Sequence, residues 1–176
     1  MVQELFIAFV VVVLRILFAI VLSAGAVYSG ISLLDKLTAG IDEWKEIKKG
    51  NIAIAILFTA VMVAVLLIME PRINDFVGLI SAAPDVVLSL ELLALSLLNY
   101  LLGLLASVIL LFLTINLIDR ITQDLDEFSE LKKGNAAVGL ILATAILLVL
   151  LVAKGPLETG FTMLKLLELN LLGLSS

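Results

Sequence analysis

The sequence of 176 residues contains no cysteine and no histidine. Without cysteine the chain can form no disulfide, thiolate nucleophile or thiolate metal site, and without histidine it lacks the commonest general base and metal ligand. Motifs typical of phosphate-binding loops, zinc proteases and serine hydrolases are absent as well. We therefore expect a protein that is not an enzyme and that uses no cofactor or metal.

Charge is scarce and mostly negative. Charged residues make up 15% of the chain, against roughly a quarter in soluble domains. The chain has 16 acidic and 11 basic residues, a net charge of −5, and its only lysine clusters are two Lys-Lys pairs. Because such a chain lacks the basic surface that binds phosphate backbones, we expect no nucleic-acid partner.

Apolar residues are in excess. They form 62% of the chain and give a mean hydropathy of +1.25, whereas a soluble domain is about 45 to 50% apolar. Four apolar stretches are long enough to cross a bilayer. They run from Leu5 to Leu34, Ile52 to Met69, Val86 to Ile118 and Ala136 to Ala153. The sequence predicts an all-α, polytopic membrane protein with four transmembrane helices in contact with membrane lipid.

The chain also contains a repeat. The segment from Asp35 to Asn51 returns from Asp119 to Asn135, 84 residues later (119 − 35), with nine of 17 positions identical and five conservatively replaced. Each copy joins a long apolar stretch to a shorter one, which predicts two tandem hairpin repeats, 1–84 and 85–176. Two spans per repeat make the repeats parallel, and we expect a pseudo-twofold axis along the membrane normal.

Each repeated segment predicts a polar corner between two membrane helices. Apolar residues at helical spacing, such as Ile41, Trp44 and Ile47, indicate a short amphipathic helix at the membrane interface. A glycine then ends this helix, and an asparagine begins the next span. These structural residues are Gly50 and Asn51 in the first corner and Gly134 and Asn135 in the second.

A second amphipathic segment follows each shorter span, close to Pro71 and Pro156. Because proline is unfavourable inside a helix, we expect the shorter spans to end near these residues and separate interfacial helices to follow. Each repeat would then consist of a long span, a corner, a short span and an interfacial helix.

The first and third apolar stretches are longer than a bilayer requires. Counting about 20 residues back from the corners places Arg15 and Asn99 at the opposite interface, where Arg15 would snorkel to the headgroups. The alternative keeps Arg15 within the bilayer, paired with an acid such as Glu91. We favour the first interpretation, because it holds in both repeats. The helix ends beyond Arg15 and Asn99 would then kink into the interface or pack on other helices.

Basic residues are unevenly divided between the two predicted sides of the membrane. The corners hold seven of the 11: Lys36, Lys45, Lys48, Lys49, Arg120, Lys132 and Lys133. The positive-inside rule therefore predicts that both corners face the cytoplasm and that both termini lie outside the cytoplasmic membrane.

The corners also carry carboxylates that are candidates for ion contact at a pore mouth. A ring of Asp and Glu side chains selects cations when several subunits surround an axis. The alternative is the solvated face of an interfacial helix. The candidates are Asp42, Glu43, Glu46, Asp126, Glu127 and Glu130.

The repeated pattern resembles a family of bacterial and archaeal membrane proteins called domain of unknown function 350. An Asp and a Thr precede an Asp-Glu pair, and a Gly-Asn pair leads into an Ala-rich span. The matching residues are Asp35, Thr38, Asp42, Glu43, Gly50, Asn51, Ala53 and Ala55, then Asp119, Thr122, Asp126, Glu127, Gly134, Asn135, Ala137 and Gly139. The resemblance implies a polytopic protein of the cytoplasmic membrane with no established activity. The second spans of that family are usually richer in glycine, whereas residues 54–68 contain none.

Two hypotheses of function follow. In the first, the chain forms a homo-oligomer whose subunits enclose a pathway for ions or small solutes. In the second, it is a structural or accessory subunit of a larger membrane complex or of a membrane-stress system. Both hypotheses use the surplus apolar helix ends as surfaces for partners.

Overall fold

The described residues form six helices, three in each repeat. The computed structural model describes residues 2–38, 41–79, 86–122 and 126–171. The first repeat contains α1 (Val2–Leu37), α2 (Glu43–Lys48) and α3 (Ile52–Gly78), and the second contains α4 (Val86–Ile121), α5 (Glu127–Lys132) and α6 (Ala136–Leu171). The boundary expected between residues 84 and 85 lies outside the described residues.

The structure confirms an all-helical membrane architecture. Helices α1, α3, α4 and α6 are each long and apolar enough to cross a bilayer. Helices α2 and α5, of six residues each, form the two corners. In the first corner Ile41 is buried and Ile47 packs on the core, whereas Trp44 remains half exposed and contacts the Phe58 ring edge to face.

The prediction that separate interfacial helices follow the shorter spans is wrong. Helix α3 continues through Pro71, and α6 continues through Pro156. A proline inside a helix removes one backbone hydrogen bond and crowds the preceding turn. In α3 the turn that follows is nevertheless buried against other helices at Arg72 and Ile73, and this packing favours continuation of the helix.

Helix α3 is the centre of the bundle and packs against α1, α4 and α6. Two glycines bring its neighbours close. A Cβ atom placed on Gly30 of α1 would lie 2.6 Å from Val65 Cγ2, and one placed on Gly139 of α6 would lie 2.6 Å from the Ala53 carbonyl oxygen. Close approach at small residues drives helix association where lipid leaves little hydrophobic driving force.

The contacts between the repeats do not follow the expected twofold pattern. A twofold axis would give α1 and α6 the contact that α3 and α4 make, yet among the described residues α3 packs extensively on α4 and α1 has no comparable contact with α6. The two hairpins also differ internally, since the position of Gly30, where α1 approaches α3, is occupied in α4 by Thr114.

Ion pairs join α3 to α6 at the end of the bundle opposite the corners, which we call the far end. The Arg72 side chain is 7% exposed, and its guanidinium lies 3.9 Å from the centroid of the Phe161 ring, a cation–π contact. Arg72 and two neighbouring positions of α3 also form ion pairs with α6, and a partly exposed ion pair of this kind contributes little to stability alone. The pairs are Glu70 with Lys154 (3.6 Å), Arg72 with Glu158 (3.7 Å) and Asp75 with Lys165 (2.9 Å).

We predict that Gly139→Ala destabilises the protein by about 1 to 3 kcal/mol, because the added methyl group pushes α6 away from the α3 backbone. The measurement is the thermal midpoint in mild detergent. Gly155→Ala is the matched control in the same helix, since a Cβ atom there has no neighbour within 4 Å. An equal midpoint for the two variants would contradict the assigned helix contact.

Candidate functional site at the two corners

Both corners turn on a glycine in the left-handed backbone conformation. Gly50 has φ 83° and Gly134 has φ 80°, and they are the only described residues with positive φ. Each follows a six-residue helix and precedes a long one, so the chain reverses direction at this point. A side chain is rarely tolerated in this conformation, which explains why glycine occupies both positions.

Four of the six candidate carboxylates have local structural contacts. Asp42 and Asp126 are N-caps, and each accepts a hydrogen bond at 3.0 Å from the backbone N–H of the third residue onward. Glu46 and Glu130 each accept a hydrogen bond from a lysine three residues later, at 2.6 and 2.7 Å. The lysine and asparagine partners lower the pKa of Glu46, and the same kinds of partner lower that of Glu130.

The corner asparagines link these contacts to the membrane helices. The Asn51 side chain accepts from the Ile54 N–H at 3.2 Å, which caps α3, and its amide donates to the Leu131 carbonyl at 2.8 Å. The second of these bonds joins the two corners. Asn135 instead donates to Glu130 of its own corner, at 2.9 Å.

The remaining candidates, Glu43 and Glu127, lie inside the protein. Glu43 is 2% exposed and accepts a hydrogen bond from the Thr38 hydroxyl. Burial raises the pKa of Glu43, and the neighbouring Asp35 carboxyl raises it further, whereas the Thr38 hydroxyl opposes the shift. The carboxyl therefore keeps its proton to a higher pH than an exposed glutamate.

Glu127 occupies the equivalent position in the second repeat and is 4% exposed. Together with Asp119 it lines a cavity of about 20 Å³ whose other walls are apolar or aromatic. Its Oε1 atom makes no hydrogen bond to the residues that the structure describes. A cavity of this size has room for about one water molecule, and a carboxyl oxygen accepts hydrogen bonds from such a guest.

The two sites share one composition. Asp35, Thr38 and Glu43 recur 84 residues later as Asp119, Thr122 and Glu127. Within residues 2–38, 41–79, 86–122 and 126–171, no group of three or more acidic side chains is arranged to hold a metal ion. What the two sites share is a buried glutamate with an aspartate beside it.

Sequence reasoning named both glutamates but placed them on a solvent-facing ring, and it assigned no site role to Asp35 or Asp119. The available signal was the repetition of the Asp and Thr one or two turns before each Asp-Glu pair. Only the fold shows that these earlier residues end a membrane helix directly over the buried glutamate.

The expected interface residues Arg15 and Asn99 lie in the far half of the bundle. Arg15 is half-buried, and its guanidinium donates to the Gly78 carbonyl at 3.2 Å, at the last residue of α3. Asn99 is buried, and the adjacent Tyr100 donates to the Leu22 carbonyl at 2.8 Å. Arg15 therefore joins α1 to the end of α3, and Tyr100, next to Asn99, joins α4 to α1.

The raised pKa of Glu43 predicts a pH-dependent stability. The folded state binds this proton more tightly than the unfolded state, so the stabilisation is fully present below the ordinary value of 4.5 and is lost as pH rises through the raised pKa. We expect the thermal midpoint of the wild type to fall relative to that of Glu43→Gln as pH is increased from about 4 to about 8.

The comparison at each pH cancels the opposite contributions of Glu46 and Glu130. Their lowered pKa values give stability that is lost as pH falls, and both groups are present in the two proteins. A difference in midpoint that stays constant with pH would contradict the assignment to Glu43.

Comparison with protein families agrees with the duplicated fold. Residues 5–96 and 90–175 each match the family described as Domain of Unknown Function (DUF350). No curated protein and no solved structure gives a significant match. The two matches together cover nearly the whole chain, one for each repeat of the fold. The chain therefore belongs to the DUF350 family and carries two tandem copies of its domain.

Proposed function

We propose that the chain is a non-enzymatic membrane protein whose homo-oligomer provides a pathway for protons or small cations, with Glu43 and Glu127 as the ion-binding groups. The observation that carries this proposal is the burial of these two carboxyls at equivalent positions. Burying an ionisable group without a cation partner costs several kcal/mol. By analogy with ionisable residues inside membrane spans, which mark ion pathways, a carboxyl kept from water at the end of a span is a candidate for ion transfer.

Glu43 and Glu127 would bind ions at the corner end of a pathway whose remaining length runs between copies of the chain. Within one chain the polar side chains of the spans bond to their own helices and line no continuous passage among the described residues. Ser29, Thr59, Thr114 and Asn116 each donate to the backbone carbonyl four residues earlier, at 2.7 to 2.9 Å. The apolar side chains that α1 exposes along most of its length, including Phe6 and Phe9, leave ample surface for a second copy.

The corners are proposed to face the cytoplasm, in the cytoplasmic membrane, with both termini outside. The support is the concentration of seven basic residues in the corners, against four elsewhere. In this orientation Glu43 and Glu127 lie at the cytoplasmic end of the proposed pathway.

Ion flux in liposomes tests the function. We expect the wild-type protein to carry protons or monovalent cations faster than protein-free liposomes, and Glu43→Gln combined with Glu127→Gln to lower the flux by about tenfold or more. The reason is that a neutral amide cannot take up a proton, and a lost charged hydrogen bond costs about 1.5 to 3 kcal/mol.

The matched control is Asp42→Asn combined with Asp126→Asn. It removes the same number of corner carboxyls, yet asparagine still caps α2 and α5. Equal losses in the two double variants, or no loss in the first, would remove the assignment to Glu43 and Glu127.

Labelling of introduced cysteines tests the orientation, and the absence of native cysteine leaves no background. A cysteine replacing Lys49 should react with a membrane-impermeant thiol reagent only after the cells are opened. A cysteine replacing Thr162, at the far end, should react in intact cells. The reverse pattern would place the corners outside.

A second candidate function is that of a structural or accessory subunit. The back-bonded hydroxyls of the spans favour it, because they offer no polar lining to an ion. Its expected signature is wild-type protein that carries no ion above the protein-free background and that co-migrates with other membrane proteins after mild solubilisation.

A further inference from the structure

The two repeats differ in what covers their second long helix, which is α3 in the first repeat and α6 in the second. In α3 one face is buried, and it contains Ala64, Val65, Ile68, Met69, Arg72 and Ile73. The equivalent residues of α6, 84 positions later, instead line an open apolar groove of about 870 Å³. They are Leu148, Val149, Val152, Ala153, Pro156 and Leu157. The same helix face is therefore covered in the first repeat and uncovered in the second.

The cover on α3 includes α4, which touches it at a glycine. A Cβ atom on Gly103 would lie 3.0 Å from Arg72 Cγ and 3.1 Å from Met69 Sδ. Arg72 and Glu70 also pair with Glu158 and Lys154 of α6. Helix α3 thus sits in the groove between α4 and α6, the two long helices of the following repeat.

None of the described residues fills the equivalent groove between α1 and α3. It has a volume of about 400 Å³ and is lined by Ala19, Ser23, Val63, Glu70, Ile73 and Asn74, among others. The first repeat therefore has an open groove between α1 and α3, and the second repeat has an exposed face on α6. The groove is equivalent to the one between α4 and α6, which α3 occupies, and the exposed face is equivalent to the buried face of α3.

We propose that α6 of one copy inserts into the α1/α3 groove of the next copy. This contact repeats between chains the contact that α3 makes with α4 and α6 within one chain. It rests on the homo-oligomer of the proposed function and supplies its interface. Because the two surfaces differ, the contact is head-to-tail, and successive copies form a ring or a filament rather than a closed pair.

Side-chain volumes fit this arrangement. In the internal contact Gly103 faces the long side chains of Met69 and Arg72. At the positions 84 residues away, Ala19 would face Ala153 and Pro156, which extend less far from the backbone. The methyl group that Ala19 adds is thus accommodated by shorter partners, as close packing of helices in lipid requires.

Charges fit as well. Glu70 and Lys154 occupy equivalent positions, since 154 − 70 = 84, and they pair at 3.6 Å within the chain. In the assembly Lys154 of one copy would meet Glu70 of the next, so that opposite charges alternate along the row. The Glu70 side chain is 61% exposed, which leaves it accessible to a second cation. The charge of Arg72 is not repeated, because Pro156 occupies the equivalent position. In the assembly Pro156 would face Asn74, which is neutral and is equivalent to Glu158.

Crosslinking in native membranes tests the interface. Two chains with different tags are co-expressed, one with Ala19→Cys and the other with Ala153→Cys, and treated with a short bifunctional thiol reagent. We expect a crosslinked dimer that carries both tags. Neither variant expressed alone should form a crosslinked dimer, because a head-to-tail contact never brings two identical positions together.

The control pair is Val21→Cys with Leu151→Cys. Each lies two residues from its counterpart, hence on the opposite side of the same helix at nearly the same depth, and both are exposed. Crosslinking of the control pair as strong as that of the test pair would overturn the proposal. So would crosslinking of Ala153→Cys with itself, which indicates a symmetric contact across α6.

A charge exchange provides a second test that does not depend on cysteine. Lys154→Glu alone and Glu70→Lys alone each place like charges at every junction, so both should lose the assembly measured by mass in mild detergent. Mixing the two variants restores opposite charges between chains, although each chain keeps its internal mismatch. Assembly should return in the mixture. No recovery in the mixture would assign the pair to folding of the single chain only.

The mass measurement also separates this interface from the proposed function. An oligomer of wild-type chains without the Ala19–Ala153 crosslink leaves the homo-oligomer standing and overturns the interface. A wild-type monomer, with lipid bound in the α6 groove, overturns both.

Discussion

The close approach of α6 to α3 at Gly139 and Ala53 determines much of the rest of the structure. An apolar side chain is as stable against lipid as against another apolar side chain, so burying it between helices provides little driving force. Membrane helices associate instead where small residues let their backbones approach closely. The contact lies just after the second corner and brings the start of α6 against the start of α3. It also brings the corners together, so that Asn51 reaches the Leu131 carbonyl. The α3 helix is thereby held at the centre, with α1 and α4 on its other sides.

The corner contacts follow from this position. Each corner must reverse the chain within a few residues and still satisfy the free N–H groups at the next helix start. A left-handed glycine and N-capping aspartates accomplish this locally, which leaves the second acidic residue of each Asp-Glu pair pointing the other way, into the protein. The same geometry that caps the short helix therefore buries Glu43 and Glu127. Their burial is a consequence of chain reversal as much as of any ion that they bind.

Much of this architecture could be predicted from sequence because it depends on local rules. Length and hydropathy located the four long helices, and the repeat located the corners. The predictions that were wrong depended on contacts between distant segments. Pro71 favours a helix end by its own chemistry, yet the burial of Arg72 and Ile73 keeps α3 intact. The expected twofold pairing likewise depended on contacts between the repeats, and among the described residues α1 makes no contact with α6 comparable to that of α4 with α3.

The side chains on the equivalent faces of α3 and α6 differ in size, and the differences match what lies against each face. Where the helix face is covered, α3 has Met69 and the buried Arg72, and the partner helix has Gly103 to receive them. Where the face is open, α6 has Ala153 and Pro156. Lipid adapts to any apolar shape, so contact with lipid alone does not require small side chains. Close contact with another helix backbone does require them. The short side chains of Ala153 and Pro156, together with the opposite charges of Glu70 and Lys154, therefore favour the proposed contact with a second helix over a surface left to the bilayer.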